Sequence, residues 1–174
     1  PSILGPTATP PPRPAPPKTP QPLATATLMP VEVGDTVTRA GLSFTVLDVF
    51  PHDRVYTGDG YYHYALDGYM LIDVLVRVEN LGPSPLTLRW NEFQTLNESG
   101  TVDTPGFAGA ALVAAGETVD PFDIRTDIQV ETSPSISIPD TAYLRVYFVP
   151  SDQPEQTLWF SIKGSRQVKL EIHK

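Results

Sequence analysis

The sequence predicts an all-β fold, an antiparallel β-sandwich that follows an extended, proline-rich arm. Three observations support this prediction. Apolar residues alternate with polar ones through most of residues 31–174, as they do in strands that bury one face. Turn sequences rich in Gly, Pro and Asn separate these stretches, and no stretch has a helical period. Eleven of the 20 prolines fall within residues 1–30, which therefore form a segment of their own.

Residues 1–30 are predicted to be an extended arm, and residues 31–174 the sandwich. Proline favours the polyproline II helix, which rises ~3.1 Å per residue, so thirty residues could reach about 90 Å. The arm carries Arg13 and Lys18 and no acid, whereas the sandwich carries all 20 acidic residues. We expect these two charges to contact an acidic surface, together with apolar groups at the tip and root of the arm. Those apolar residues are Ile3, Leu4, Leu23, Leu28 and Met29.

The first half of the sandwich has the most regular alternation. Residues 31–39 form a predicted strand that ends at an Ala-Gly turn, and residues 42–49 form the next, with a β-bulge near Asp48. Residues 69–80 form a longer strand, and a Gly-Pro-Ser-Pro turn separates it from residues 86–90. The residues of the longer strand that share its buried face are Met70, Ile72, Val74, Val76 and Val78.

The second half continues the pattern in shorter runs. These runs are residues 93–96, 112–113, 119–124, 128–130, 142–148, 158–162 and 168–172. The total is eight or nine strands, which is typical of a sandwich, and a closed barrel is the alternative. Pro121 and Pro139 should lie at strand ends or sheet edges, because proline cannot donate to a ladder.

Four segments carry a family resemblance. They are VGDTVTRAGLSFTVLDVF (33–50), GYMLIDVLVRVENLGPSPLTLRWNEFQTLNESG (68–100), LVAAGETVDPFDI (112–124) and AYLRVYFVPSDQPEQTLWFSI (142–162). In this order they resemble the telokin-like, immunoglobulin-type domain of prokaryotic secreted proteins and lipoproteins. The matching positions are Gly34, Asp35, Asn80, Phe93, Leu96, Gly100, Gly116 and Glu117. The resemblance covers residues 31–163. It implies an immunoglobulin-like sandwich outside the cytoplasm, often behind a low-complexity linker, and it implies no catalytic residue.

Composition excludes several classes of function. The chain has no Cys, which excludes disulfides, thiolate metal sites and Cys nucleophiles. A formal net charge of −8 argues against nucleic acid and anionic membranes as partners, and no apolar run is long enough to span a membrane. Motifs for nucleophilic, zinc or phosphate chemistry are missing. We therefore expect no enzyme and no catalytic residue, at an extracellular or cell-surface location reached after removal of a signal segment.

Residues 53–69, DRVYTGDGYYHYALDGY, contain five of the seven tyrosines: Tyr56, Tyr61, Tyr62, Tyr64 and Tyr69. Three interpretations are open. Asp53, Asp59 and Asp67 could supply the hard oxygen ligands of a Ca²⁺ site, the only cofactor that the sequence suggests. The rings could form a contact surface for prolines or a ligand. They could instead cover one end of the sandwich. In another turn, Asn97 begins a glycosylation sequon.

The function expected from these features is structural. We expect a non-enzymatic extracellular protein that self-assembles, into a filament or surface layer, by docking its arm on neighbouring copies. Fixing each arm residue costs about 1 kcal/mol, so an ordered arm requires a partner surface. Docking by charge should weaken as ionic strength rises. The alternative is a monomeric cell-surface module on a passive stalk that binds a ligand or Ca²⁺, with other surface proteins or glycans as partners.

Overall fold

The structure, a computed structural model, describes residues 29–57, 60–65, 69–114, 117–149 and 155–173. Within these ranges the chain contains fourteen β-strands and two short 3-10 helices, and no α-helix. Several predicted site residues lie outside the described residues. They are Ile3, Leu4, Arg13, Lys18, Leu23 and Leu28 of the arm, and the carboxylates Asp59 and Asp67.

The strands are numbered in chain order. They are β1 (Thr36–Arg39), β2 (Leu42–His52), β3 (Arg54–Tyr56), β4 (Tyr62–Tyr64), β5 (Leu71–Asn80), β6 (Leu86–Arg89), β7 (Phe93–Asn97), β8 (Val102–Asp103), β9 (Phe107–Val113), β10 (Ile128–Gln129), β11 (Ser135–Ile138), β12 (Thr141–Phe148), β13 (Glu155–Ile162) and β14 (Val168–His173). The 3-10 helices are Trp90–Glu92 and Pro121–Asp123.

Two antiparallel sheets form the layers of a sandwich. The larger has the order β1-β2-β5-β12-β9-β10, and the smaller has the order β14-β13-β7-β8. Two further strand pairs are β6–β11 and β3–β4. Because β1 and β10 end the larger sheet without pairing to each other, the sheet is open. The predicted antiparallel β-sandwich is confirmed, and the barrel alternative is wrong.

The core lies between the two layers, where the alternation predicts it. Phe160 of the smaller sheet stands at its centre. Its ring contacts Phe44 and Phe148 of the larger sheet, at centroid distances of 6.0 and 6.1 Å, and Phe93 at 6.4 Å. Trp90 is also fully buried. The apolar face predicted for residues 69–80 is buried throughout, so period-two alternation identified this side of β5 correctly.

A β-bulge interrupts β2 where the sequence predicts one. Its register against β5 shifts between Val46 and Asp48. A bulge inserts one residue and so exchanges the two faces of the strand beyond it. Val49 therefore packs against the core, while Phe50 and His52 lie on the outer face of the larger sheet.

The outer face of the larger sheet differs from the prediction. Alternation in β5 indicates one buried face, but Leu71, Asp73 and Leu75 on the opposite face are also buried. The β3–β4 hairpin covers part of this face, where Val55 packs with Leu71 and Tyr147. The larger sheet therefore packs against structure on both sides. This second layer depends on contacts between distant segments, which alternation in one strand does not show.

Other differences concern short elements. The run at residues 119–124 is not a strand. Pro121 begins a 3-10 helix there, and the Asp120 carboxylate accepts from the Phe122 amide at 2.9 Å, which favours a tight turn over extended backbone. Phe122 is consequently exposed. Pro139 follows the last residue of β11, at a strand end as predicted.

The root of the arm is attached to the C-terminal strand. Val31 pairs in parallel with β14: its amide donates to the Gln167 carbonyl at 3.0 Å, and its carbonyl accepts from the Lys169 amide at 2.7 Å. Arg166 Nε donates to the Met29 carbonyl, while the Met29 side chain is exposed. The arm therefore leaves the domain along an edge of the smaller sheet. Nothing among the described elements is a helix long and apolar enough to cross a membrane.

Candidate functional site

The β3–β4 hairpin presents a row of aromatic side chains to solvent. Because alternate residues of a strand share a face, Arg54 and Tyr56 of β3 lie beside Tyr62 and Tyr64 of β4. The rings of Tyr56 and Tyr62 are 5.1 Å apart, and those of Tyr62 and Tyr64 are 6.4 Å apart. The Arg54 guanidinium lies over the Tyr62 ring at 4.9 Å. We call these four residues the tyrosine face.

The opposite face of the hairpin holds it on the sheet. Val55 is buried against Leu71 and Tyr147, and the His63 ring lies 4.3 Å from that of Phe107. Packing on one side therefore fixes the position of the rings on the other. A short hairpin that packs on a sheet in this way can present its rings with little conformational freedom left to lose on binding.

All five predicted tyrosines are at the surface. Tyr56, Tyr62 and Tyr64 are 55%, 51% and 63% exposed, and Tyr61 and Tyr69, which lie outside the tyrosine face, are 69% and 46% exposed. The sheet beneath is covered by the inward residues of the hairpin and not by these rings.

Only one of the three carboxylates proposed as Ca²⁺ ligands, Asp53, lies among the described residues. Asp53 is exposed, and its backbone carbonyl accepts from the Ala65 amide at 2.9 Å. The other two carboxylates lie outside the described residues, within which no cluster of three acidic, His or Cys side chains could hold a metal ion. The Ca²⁺ site stays a prediction.

Asn97 is at the end of β7, in the turn that the sequence indicates. Its side-chain oxygen accepts from the Ser99 hydroxyl at 2.7 Å and from the Thr101 amide at 2.8 Å. The sequon therefore lies in an ordered turn at the surface, and its glycosylation stays a prediction.

A cleft of about 620 Å³ opens beside the tyrosine face. Its floor is the outer face of the larger sheet, at His52, Arg145 and Tyr147. One wall is strand β3, and the other is residues 124–126, which follow the second 3-10 helix. The volume is in the range of sites that bind small molecules. We call it the arginine cleft, because Arg54, Arg125 and Arg145 line it.

A buried ion pair underlies the floor. Asp73 is completely buried, and its Oδ2 accepts from Arg145 Nε at 3.0 Å and also from Arg145 Nη2. His52 Nε2 lies 3.4 Å from the same oxygen. The other oxygen, Oδ1, forms no hydrogen bond within the described residues, which is uncommon for a buried carboxylate. The Asp73 carboxylate thus fixes the Arg145 guanidinium and places a negative charge beneath the floor of the cleft.

Tyr147 occupies the same floor and is almost fully buried. Its hydroxyl accepts from the Thr126 hydroxyl at 3.0 Å, which connects the sheet to the far wall of the cleft. Burial, followed by the negative charge of Asp73, raises the pKa of Tyr147 to about 12. Tyr147 therefore remains a neutral phenol throughout the physiological pH range.

The far wall approaches the sheet closely because β9 has no side chain at Gly109. A Cβ on Gly109 would lie 2.2 Å from the Arg125 carbonyl oxygen and 3.0 Å from Ile124. Only glycine leaves room for this backbone. The wall that carries Arg125 and Thr126 therefore depends on Gly109.

Sequence reasoning did not identify the arginine cleft. It placed Asp73 on the exposed face of β5 and assigned no partner to it or to Arg145. One signal was present: Asp73 is the one charged residue in the apolar run of residues 70–76, and Arg145 is the one charged residue of β12. Opposite charges at such positions indicate a buried pair across neighbouring strands.

In comparisons with known proteins, this chain matches solved structures and matches neither a family model nor a curated protein. Among solved structures, an uncharacterized β-sandwich protein from Clostridium difficile is similar at 13% identity and a TM-score of 0.48, over 82% of this chain and 95% of that one. The secreted protein MPT63 of Mycobacterium tuberculosis is similar at 15% identity and a TM-score of 0.44, over 83% and 99% of the two chains.

A further likeness is to the ycdA protein of Bacillus subtilis, provisionally described as a lipoprotein. The identity is 15% and the TM-score 0.46, over 82% of this chain and 39% of that one. None of these three descriptions names a telokin-like or immunoglobulin-type domain, so the finer resemblance stays a prediction. This chain is thus similar, at low sequence identity, to bacterial proteins described as a β-sandwich protein, a secreted protein and a lipoprotein.

Proposed function

We propose that this protein is a non-enzymatic, extracellular, self-assembling protein, in which the proline-rich arm of one copy binds the tyrosine face of the next. The observation that carries the proposal is the row of exposed rings on the β3–β4 hairpin. The extracellular location rests on the sequence resemblance to the telokin-like, immunoglobulin-type domain.

The chemistry of the tyrosine face suits a proline-rich ligand. Proline-rich segments bind aromatic-lined surfaces in several unrelated recognition domains, because the polyproline II helix is already extended and loses little entropy on binding. Tyrosine supplies contact area at a small entropic cost, and its hydroxyl can bond the backbone carbonyls that such a helix leaves free. Three rings in a row, 5.1 and 6.4 Å apart, offer successive contacts along one chain.

Charge favours binding of the arm to the acidic sandwich. Residues 31–174 contain 20 acidic residues and ten Lys or Arg, a formal charge of −10, while the arm contains Arg13 and Lys18, a charge of +2. Opposite charges of this size steer two molecules together, and added salt weakens the attraction between them.

The position of the arm favours contact between copies. The arm leaves from β14 in the smaller sheet, whereas the tyrosine face lies over the outer surface of the larger sheet. Donor and acceptor surfaces are thus in different layers of the sandwich. A contact between two different surfaces is head-to-tail, and it forms a ring if its rotation closes and an open filament if it does not.

Titration of a synthetic peptide of residues 1–28 into the isolated domain of residues 29–174 tests the proposal. We expect the combined changes Tyr56→Ser, Tyr62→Ser and Tyr64→Ser to weaken binding about tenfold or more, because several aromatic contacts are lost together. Calorimetry gives the affinity, and Leu81→Ser, which changes an exposed apolar residue elsewhere, is the control. Equal binding by the triple variant and the parent domain would show that the arm does not use the tyrosine face.

One observation favours the alternative, a monomeric module that binds a ligand from solution. The arginine cleft adjoins the tyrosine face and is large enough for a small molecule. The cleft and the tyrosine face share Arg54 and Tyr56, and the other lining residues of the cleft lie outside the tyrosine face.

A further inference from the structure

We propose that the arginine cleft is a binding site for a single carboxylate group carried by a largely neutral sugar. This site adjoins the tyrosine face, with which it shares Arg54 and Tyr56, and it does not depend on self-assembly. Three properties of the cleft support it: its local charge, the fixed position of its floor and the aromatic ring at its rim.

The charge of the cleft is opposite to that of the protein. Three of the eight arginines of the chain line it, and no acidic side chain is among its described lining residues. Counting Asp73 beneath the floor, the local formal charge is three minus one, or +2 with His52 neutral, against −8 for the chain. A concave cationic site in an acidic protein concentrates field lines and attracts anions locally.

The floor of the cleft is organised before any ligand binds. Asp73 holds two nitrogens of Arg145, and Arg145 Nη1 lies 3.4 Å from the Phe122 carbonyl. The guanidinium is therefore fixed on both sides, by the sheet and by the second 3-10 helix. Tyr147 and Thr126 are joined by their own hydrogen bond on the same floor. These contacts use three of the five N–H groups of Arg145 and hold the remaining two in place, and fixed donors lose little entropy on binding.

The types of side chain indicate a carboxylate. The planar guanidinium donates two parallel hydrogen bonds that match the two oxygens of a carboxylate. Arg54 and Arg125 stand on opposite walls and are both exposed, so an anion on the floor can be approached from both sides. The lining residues include no Lys, which would bind as a point charge without this geometry.

The surroundings of the cleft limit what may carry the carboxylate. The acidic body repels a dense polyanion, so the favoured ligand has one charge on an otherwise neutral frame. Tyr56 is in both the cleft and the tyrosine face and is 55% exposed, which places an aromatic ring with a polar tip at the rim. Such a ring can pack on the apolar side of a sugar while its hydroxyl bonds the ring oxygens or hydroxyls. An acidic sugar satisfies both conditions.

The test uses cellobiouronate, a disaccharide with one carboxylate, and its neutral counterpart cellobiose, with the full-length protein. Binding is followed by NMR through the backbone amides of His52, Arg125 and Tyr147. We expect cellobiouronate to shift these amides and to bind about tenfold or more tightly than cellobiose, since a charge-assisted hydrogen bond is lost in the neutral sugar. Arg125→Gln should weaken cellobiouronate binding by a similar factor.

Arg89→Gln is the matched control, because it removes the same charge from an exposed residue of β6, outside the cleft. It should leave the affinity unchanged. Acetate should bind at least tenfold more weakly than cellobiouronate if the sugar frame contributes. The proposal is overturned if cellobiose binds as tightly as cellobiouronate, if acetate equals the disaccharide, if Arg125→Gln has no effect, or if no sugar binds at about 10 mM.

Discussion

Asp73 is the one charged residue that is fully buried in the described part of the chain. It is a fully buried carboxylate in the central strand β5, and its charge is balanced by Arg145 of the neighbouring strand. Removing ions from water is costly, so a buried pair adds little net stability, while a single buried ion left without its partner is strongly destabilising. At the residue scale, the effect of a change at one member should therefore depend on the other.

We expect Arg145→Leu to lower the free energy of unfolding by about 3–5 kcal/mol, because it leaves the Asp73 carboxylate buried without its partner. The double change Asp73→Leu with Arg145→Leu should cost much less than the single change. Urea unfolding of both variants measures the difference. If the double variant is less stable than Arg145→Leu alone, an unpaired Asp73 carboxylate carries no penalty and this view of the floor is wrong.

The raised pKa of Tyr147 predicts that the protein loses stability as pH rises in the alkaline range. Its pKa is raised to about 12 by burial and by Asp73, against about 10 in the unfolded chain. Between pH 10 and pH 12 the folded state keeps the Tyr147 proton, while the unfolded state loses it. The stabilisation that comes from the neutral, buried phenol is therefore complete below pH 10 and falls by about 2 kcal/mol as pH rises from 10 to 12. Unfolding free energies over this range should show a steeper loss in the parent protein than in Tyr147→Phe. Equal slopes would contradict the assignment.

At the scale of elements, three local features build the candidate site. The bulge in β2 turns His52 to the outer face, the inward residues of the hairpin fix the tyrosine face, and Gly109 in β9 lets residues 124–126 approach the sheet. Each feature belongs to a different part of the chain. The cleft exists only because all three meet over β5 and β12.

Gly109→Ala tests the last of these features. The added Cβ would lie 2.2 Å from a backbone oxygen, so the wall of the cleft must move. We expect a loss of stability of about 1–3 kcal/mol and a change in the NMR chemical shift of the Thr126 amide. Gly106→Ala is the control, because nothing lies within 4 Å of its Cβ. If both substitutions lower the stability equally, the close approach of the backbone at Gly109 does not explain the loss.

The sequence predicts the sandwich better than the site, for a physical reason. A strand that buries one face shows this in its own sequence, because apolar and polar residues alternate. The core residues of β5, β12, β13 and β14 could therefore be identified one strand at a time. The bulge near Asp48 was also local. The second layer is different: the pairing of Asp73 with Arg145 joins residues far apart in the chain, and the packing of Val55 under the tyrosines depends on where the hairpin folds back.

At the scale of the whole molecule, the arm and the sandwich have complementary properties. The arm is proline-rich and basic, and the sandwich is acidic, with exposed tyrosines over one layer and the root of the arm on the other. A chain with a donor segment and a separate acceptor surface can link to copies of itself without further components. The arginine cleft adds a place where such an assembly could hold a sugar.

Sedimentation equilibrium of the full chain over a range of concentrations tests self-assembly most directly. We predict an average mass that rises with concentration above that of a single chain, because each arm finds the tyrosine face of another copy. In the full chain with Tyr56→Ser, Tyr62→Ser and Tyr64→Ser combined, the mass should stay that of one chain. A parent protein that remains a single chain at about 1 mM, or a triple variant that assembles equally well, would contradict the proposed assembly.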